Sequence, residues 1–505
     1  MRFIRILLRW LLWLTALGLL CLSAIGVFWL VLEESAWDFI PDTTASILIL
    51  QDGLQYKEDA GLLHARTGEI LSTLDAIRVQ EENLSRFLEN LAPEMLTLIS
   101  PSGSVLCIAD AGWRALFVGS GILAARSVFN PDETITFSQS EHTVGKLDVT
   151  IYHIGLRGRR NRLSLALVRN ILLFSDESAS ILAGLKRWTE REPRNPLWAT
   201  LRKTVPARPL TLLTSGADLP ARLPCFPAIE GMAWSLRTNR FSMEIAGGLL
   251  FSTATNEGRG AYRLLRSNQY APTTASLIPI DTDRLTSLLF DDLEELLSVL
   301  SPCFRAGTQP GSRLINDWAA NELSVFIRRG LRYVHIRVVD PARALKARHT
   351  PGQPPLVITN HAGWSIRRME MPAFLEPLTR LFIPGQNPVC LAQKGEHMLF
   401  GPSPAALLSL ITAGSRTNLF QSQPKDAREI LGKKCNFLLV DTHGVIPLIP
   451  SGIQGILRDP HLRQGTVYAN LKSADGMILV SLLVDNGRSR QANMANTSKT
   501  TAPMK

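Results

Sequence analysis

Thr43-Thr-Ala-Ser-Ile-Leu-Ile-Leu-Gln-Asp52 returns as Thr273-Thr-Ala-Ser-Leu-Ile-Pro-Ile-Asp-Thr282, and the reading of the fold turns on that echo. Each copy opens with the same four residues and continues into an apolar run, the pattern of a turn feeding a strand. If one module occurs twice, further echoes must follow in the same order at a similar spacing. Asp340-Pro-Ala-Arg-Ala-Leu345 answers Asp110-Ala-Gly-Trp-Arg-Ala-Leu116 with one residue fewer. Leu391 to Phe400 answers Leu165 to Phe174 as strand, turn and strand, and Ala405-Ala-Leu-Leu408 starts the matching helix. Phe437 to Val440 answers Leu210 to Thr214, and Val467 to Leu471 answers Ala233 to Leu236. The offsets lie between 226 and 234 residues, so the sequence predicts two related α+β units of about 230 residues each, mainly antiparallel. One difference stands at the start: Ile49 in the first copy is Pro279 in the second. Proline cannot donate a ladder hydrogen bond, so the second copy of that strand is predicted to be an edge or bulged strand.

Within the first unit the spacing predicts helices around Ile70 to Ile77 and Leu84 to Leu91, where apolar residues recur three and four apart. Leu96 to Ile99 and Val105 to Ala109 read as strands around the turn Ser100-Pro-Ser-Gly103. Ile135 to Ile154 has strand character, and Arg162 to Phe174 reads as a hairpin turning at Arg169-Asn170. A helix capped near Ser175 or Asp176 follows, with Ile181, Leu182 and Leu185 on its buried face. Met232 to Leu236 and Phe241 to Ile245 pair as strands. In the second unit Leu285, Leu289, Leu293, Leu296, Leu297 and Leu300 fall at helical spacing, so Leu285 to Leu300 is predicted to be an amphipathic helix, followed by a strand at Val334 to Val339.

Ahead of the units lies a different kind of segment. The 23 residues from Trp10 to Leu32 carry no charge. As a helix they reach about 34 Å and cover a hydrocarbon core of about 30 Å. Arg2, Arg5 and Arg9 precede the run, whereas Glu33, Glu34 and Asp38 follow it, so the positive-inside rule keeps the N-terminus cytoplasmic and exports the rest. The run is longer than the apolar core of a signal peptide, and no clean small-x-small cleavage site follows, so residues 10–32 read as an uncleaved anchor. The expected organisation is an anchor at 1–36, repeats at 37–265 and 266–486, and a disordered basic tail at 487–505.

The net charge of +10 over 505 residues suggests a polyanion binder until it is placed along the chain. Seven of the ten charges sit on the two ends, three before Glu33 and four after Asp485. The body therefore carries only +3, and nucleic acid is not an expected partner.

Arg157, Arg159, Arg160 and Arg162 form the densest basic feature, in a loop between two strand-like segments. Forked guanidinium groups in such a loop can grip phosphate, lipid headgroups or another anionic polymer, or can simply face water. No aromatic residues interleave with them as a single-strand nucleic-acid platform requires. Arg328, Arg329 and Arg332 are a second, weaker cluster. Asp291, Asp292, Glu294 and Glu295 read as the solvated side of the predicted helix. Six cysteines, Cys21, Cys107, Cys225, Cys303, Cys390 and Cys435, contain no Cys-x-x-Cys pair, and Cys107 lies in an apolar strand pattern. Nine histidines lack metal-site spacing, and His361 sits in a polar loop without a partner. No nucleophile elbow, P-loop or dinucleotide fingerprint occurs, so no cofactor, metal or catalytic residue is assigned.

The anchor, together with strand-turn-strand-helix units such as Leu163 to Trp188, resembles bacterial families of single-pass, membrane-anchored envelope proteins whose exported part is a duplicated α+β module. The resemblance implies an inner-membrane protein with its bulk in the periplasm, and carries no catalytic residues across. The function expected is a non-enzymatic binding or scaffolding role with an envelope protein as partner. The alternatives are a hydrolase-type enzyme with its site at the seam between the repeats, or a binder of anionic lipid or polymer through the arginine loop.

Overall fold

The computed structural model describes residues 34–51, 57–80, 94–112, 135–156, 162–191, 194–216, 229–238, 242–251, 268–293, 319–346, 357–371, 375–442, 465–474 and 477–485, with 15, 18–20 and 55. The chain divides into two compact units, Met1–Pro196 and Leu197–Lys505. Both are α+β with extensive antiparallel sheet and few helices.

In the first unit the strands are β1 (Ser46–Gln51), β2 (Glu94–Ile99), β3 (Val105–Asp110), β4 (Ile135–Val144), β5 (Leu147–Leu156), β6 (Arg162–Val168) and β7 (Ile171–Ser175). They pair antiparallel in the spatial order β1-β2-β3-β7-β6-β5-β4. β3 and β7 are buried on both faces, which is why Val105 to Ala109 and Ile171 to Phe174 read as unbroken apolar runs. The turn at Ser100 closes through Gly103, whose φ of +82° is open to glycine at no steric cost.

Helices α1 (Lys57–Leu63), α2 (Ala65–Gln80) and α3 (Ser178–Glu190) complete the unit. Ile181 and Leu185 are buried on α3 as the spacing predicts. Its start departs from expectation: Glu177 is the N-cap and makes no side-chain cap bond. Arg66 of α2 ion-pairs with both Asp176 and Glu177, so these acids join two helices instead of closing one.

The second unit holds β8 (Leu210–Ser215), β9 (Ile229–Thr238), β10 (Ser242–Phe251), β11 (Arg284–Leu289), β12 (Ala319–Arg328), β13 (Leu331–Val338), β14 (Val357–His361), β15 (Trp364–Arg368), β16 (Cys390–Lys394), β17 (His397–Gly401), β18 (Phe437–Asp441), β19 (Thr466–Ala474) and β20 (Met477–Asp485). Their antiparallel order is β8-β9-β10-β20-β19-β18-β11-β12-β13-β17-β16-β15-β14. From β11 onward the partners follow the order found from β1 in the first unit, β11-β12-β13-β17-β16-β15-β14 against β1-β2-β3-β7-β6-β5-β4. β10 and β20 pair along their length, from Ser242 opposite Asp485 to Leu250 opposite Met477.

Helices α4 (Pro196–Thr204), α5 (Pro341–Lys346), α6 (Leu375–Phe382), α7 (Pro404–Arg416) and α8 (Lys425–Gly432) lie among these strands in sequence. α7 starts as a capped helix should, with Ser403 Oγ accepting from Ala406 N at 3.1 Å and proline at its first position. The sheet buries two apolar clusters. Leu285, Phe326 and Tyr333 pack with Leu407, Leu410 and Ile411 of α7, whereas Leu288, Val325, Val334 and Ile336 pack with Leu375.

Two expectations need correction. Leu285 does not open a helix: Arg284–Leu289 is β11, a central strand whose residues from Leu285 to Leu289 are all buried. A strand covered on both faces is apolar throughout, and over six residues its leucines mimic helical spacing. The second copy of the opening echo does not form the first strand either. Thr274–Ser276 is a single 3-10 turn, and Pro279 makes only an isolated bridge to Asn418. The strand at the register of β1 starts at Arg284, eight residues beyond the place that the echo assigns. The predicted span 10–32 lies almost wholly outside the described residues, among which no helix is long and apolar enough to cross a membrane.

Candidate functional site

A row of residues crosses the sheet from β11 to β17. In the first unit the register brings Ile49, Leu96, Ile108 and Leu173 side by side, all buried and all apolar. The same places in the second unit are held by Ser287, Ser324, His335 and Leu399. All three polar substitutes in that row are buried. Burying hydroxyls and an imidazole is unfavourable unless each finds a partner.

The partners come from the displaced echo. Because Thr273 and Thr274 form a turn instead of a strand, their amides are unspent, and the carboxylate of Glu322 on β12 takes them. Glu322 is 1% exposed. Its Oε2 accepts from Thr273 N at 2.9 Å and from Thr273 Oγ1, and its Oε1 accepts from Thr274 N at 3.0 Å and Thr274 Oγ1 at 2.7 Å. Burial alone would raise the pKa of this carboxyl. The threonine N–H and O–H donors, and His335 whenever its ring is charged, oppose that and hold it below the usual glutamate value, so it is ionised.

An ionised Glu322 decides every proton beyond it. Thr274 Oγ1 has one proton and lies 2.7 Å from Glu322 Oε1, 2.7 Å from Ser324 Oγ and 2.7 Å from His335 Nδ1. A carboxylate can only accept, so the threonine proton goes to Glu322 and Thr274 must accept from His335 Nδ1–H. Nε2 of neutral His335 is then an acceptor, and it faces His397 Nδ1 at 3.1 Å. His397 therefore donates through Nδ1, which leaves its own Nε2 with a lone pair. The hydrogen-bond network thus assigns one tautomer to each ring.

Both rings are held neutral at physiological pH. Burial pushes His335 down to about 4, against the opposing pull of Glu322, and His397 and Arg337 lower it further. His397 is also lowered, by burial first and then Arg337, with Glu322 opposing.

The relay ends in a cavity of about 310 Å³. Leu277, Ile278, Trp364, Leu410 and Ile411 give it apolar walls, and Lys394 stands with His397 among its polar lining. The size falls at the small end of ligand pockets, and apolar walls with a few convergent polar groups are their usual construction. The tight β14–β15 turn places Trp364 there through two left-handed residues, Ala362 and Gly363, and Lys394 Nζ donates to Ala362 O at 3.2 Å. α7 reaches the wall by a close approach: a Cβ on Gly414 would stand 2.3 Å from Leu277 O.

The hydroxyls in the wall are already engaged. Ser276 Oγ donates to Thr273 O at 2.6 Å and Ser415 Oγ to Thr412 O at 2.9 Å, so neither serine is paired to a histidine as an activated nucleophile would be. Among the described residues no group of three or more metal-type side chains converges. The arrangement can accept a hydrogen bond, or a proton, at one fixed point beside an apolar surface.

Of the residues singled out from sequence, Arg157, Arg159 and Arg160 lie outside the described residues, and Arg162 is exposed at the start of β6 opposite Gly155. Arg328 is buried and bound by both arms to Asp281, at 2.7 and 3.0 Å, and Arg329 joins the same carboxylate, while Arg332 donates to Gly385 O at 3.1 Å. That cluster is structural. Asp291 accepts from Tyr270 Oη at 2.5 Å and Asn268 N at 2.7 Å, on no helix face. His361 is exposed and meets Thr412 Oγ1 at 3.0 Å. Cys107, Cys390 and Cys435 are buried free thiols, and burial pushes Cys107 and Cys435 up to about 12, which makes them inert.

Glu322, His335 and His397 were not singled out, because three strands contribute one residue each and no spacing links them. The available signal was a polar residue at the centre of each of two apolar strands, Ser324 in β12 and His335 in β13.

No protein-family model matches the chain, and no curated protein matches it significantly. Among solved structures, crystal forms III, I and IV of TP0453 are similar to 48% of this chain and to 89–90% of theirs, at 8–9% identity and TM-scores of 0.26, 0.27 and 0.26. Likeness at that level says nothing of function.

Proposed function

We propose that this chain is a membrane-anchored envelope protein, built from two related α+β modules, that works by binding a ligand in the pocket beside His397. The observation that carries this reading is the contrast at matching register: Ile49, Leu96 and Ile108 in one half, Ser287, Ser324 and His335 in the other. A buried polar row offers no stability advantage over the apolar one. Its retention beside a pocket supports a function for it there.

The ligand that fits is a compact apolar molecule with one hydrogen-bond donor to meet His397 Nε2. The duplication is supported by the matching partner order of β1–β7 and β11–β17, and by echoes at Leu391 to Phe400 and Phe437 to Val440 that fall on equivalent strands. The anchor at 10–32, the cytoplasmic N-terminus and the exported body rest on the charge-free run and its flanking charges. A hydrolase would need a nucleophile at the base, and Ser276 and Ser415 are engaged elsewhere, so binding is preferred to catalysis.

An apolar fluorescent anion, anilinonaphthalene sulfonate, tests the pocket. Saturable fluorescence enhancement is expected with the native chain and its loss with Ser415→Trp, which fills the rim from an exposed position without touching the core. Equal enhancement in both proteins would remove the pocket as the binding site.

A further inference from the structure

A cleft of about 1,240 Å³ lies in the first unit, between the tip of the β4–β5 hairpin and the C-terminal half of α3. We infer that this cleft binds the phosphate-bearing headgroup of a membrane phospholipid in the leaflet from which the chain emerges, a conclusion that rests on the anchor reading proposed above.

The first support is distance along the chain. The apolar run ends at Leu32, and Glu34 is part of the cleft wall. Two residues reach at most about 7 Å, which is comparable with the thickness of the headgroup layer on one side of the hydrocarbon core. The cleft therefore stands at the level of the lipid phosphates.

The second support is that Glu34 does not swing. Its N–H donates to Asn170 Oδ1 at 2.9 Å and its C=O accepts from Asn170 Nδ2 at 3.1 Å. Asn170 is itself 2% exposed and donates to Asp110 Oδ1 at 3.2 Å. Arg169 ion-pairs with the Glu34 carboxylate and lies over the Trp188 ring, 5.3 Å from its centroid, while Trp188 stacks on the buried Phe39 at 5.4 Å and 7°. Glu34 is thus tied into the folded body, and the cleft wall starts two residues beyond the end of the apolar run.

The third support is charge. The acids of the cleft are already engaged: Glu34 with Arg169, Asp38 with Arg194 at 2.6 Å, and Glu190 with Lys186 at 3.8 Å. Lys146 and Arg191 have no carboxylate partner among the described residues, and both are exposed. They supply ammonium and guanidinium donors for a phosphodiester, and Trp188 supplies the amphipathic ring that suits the interface.

The full chain in nanodiscs tests this. Hydrogen–deuterium exchange is followed at 142–147 and 186–191 in discs of phosphatidylcholine alone and of phosphatidylcholine with about 30% phosphatidylglycerol, a surface on which each basic residue is worth about fivefold in partitioning. The expected result is exchange slowed about fivefold or more by the anionic lipid in the native chain, and no slowing in Lys146→Glu/Arg191→Asn, a variant of exposed positions in which asparagine tolerates the left-handed backbone at 191. Equal exchange in the two discs would overturn the inference, as would equal protection in the variant. Protection by free inorganic phosphate in neutral discs to the same extent would also overturn it, by making the ligand a soluble anion. A chain that failed to enter the discs at all would instead count against the anchor, which keeps the two failures apart.

Discussion

At the scale of single residues the second unit is governed by one buried charge. Glu322 spends its oxygens on Thr273 and Thr274, and that demand sets the proton positions of two imidazoles beyond it. His335 is neutral when folded because burial lowers it to about 4, whereas unfolded histidine titrates near 6.5. Between those values the unfolded chain binds more protons than the folded chain, so stability rises with pH there. It is complete above about 6.5 and lost as pH falls towards 4. Glu322, also lowered, acts in the same direction below its ordinary value. Chemical denaturation of the full chain at a series of pH values is expected to show a loss of a few kcal/mol across this window, centred on the second unit. His335→Leu is expected to flatten the profile. An unchanged profile in that variant would mean that the imidazole is not the group responsible. Little of this was visible in the sequence: Ser324 and His335 interrupt apolar runs, but His335 is one of nine scattered histidines and Glu322 has no motif around it. Their meeting depends on register among three strands, which no local pattern encodes.

Among elements, hairpins were more legible than the strands between them. Arg162–Val168 with Ile171–Ser175, and Cys390–Lys394 with His397–Gly401, follow their sequence patterns because in each pair two short apolar runs flank a two-residue polar turn. β11 did not, since a doubly covered strand loses alternation and its leucines fall three and four apart by chance. The opening echo is instructive for the opposite reason. Its residues do repeat, yet in the second unit they form a turn whose amides bind Glu322. That turn rests on α7 at Gly414, where helix and turn backbones meet with no room for a side chain. Gly414→Ala gains about 1 kcal/mol of helix propensity but forces a backbone clash that costs about 1–3 kcal/mol. The expected result is a net loss of stability together with weaker probe binding, because Leu277 must move out of the pocket wall. Unchanged melting and unchanged probe affinity would show that the approach is looser than the geometry requires.

Across the whole molecule, the two halves share an order of strand partners and differ in what they bury. One half fills its central row with isoleucine and leucine, and its large cleft is tied to the point where the chain leaves the proposed anchor. The other half places serines and histidines in that row and ends them in a small apolar pocket. That contrast, at matching register in two sheets of the same strand order, is the reason binding is proposed for the second half and attachment for the first. The most direct test is to purify the full chain from the cells that produce it, extract it with organic solvent, and compare the small molecules recovered from the native protein and from Ser415→Trp by mass spectrometry. The account predicts an apolar molecule with a hydrogen-bond donor, recovered at close to one per chain from the native protein and absent from the variant. Indistinguishable extracts from the two proteins would contradict it.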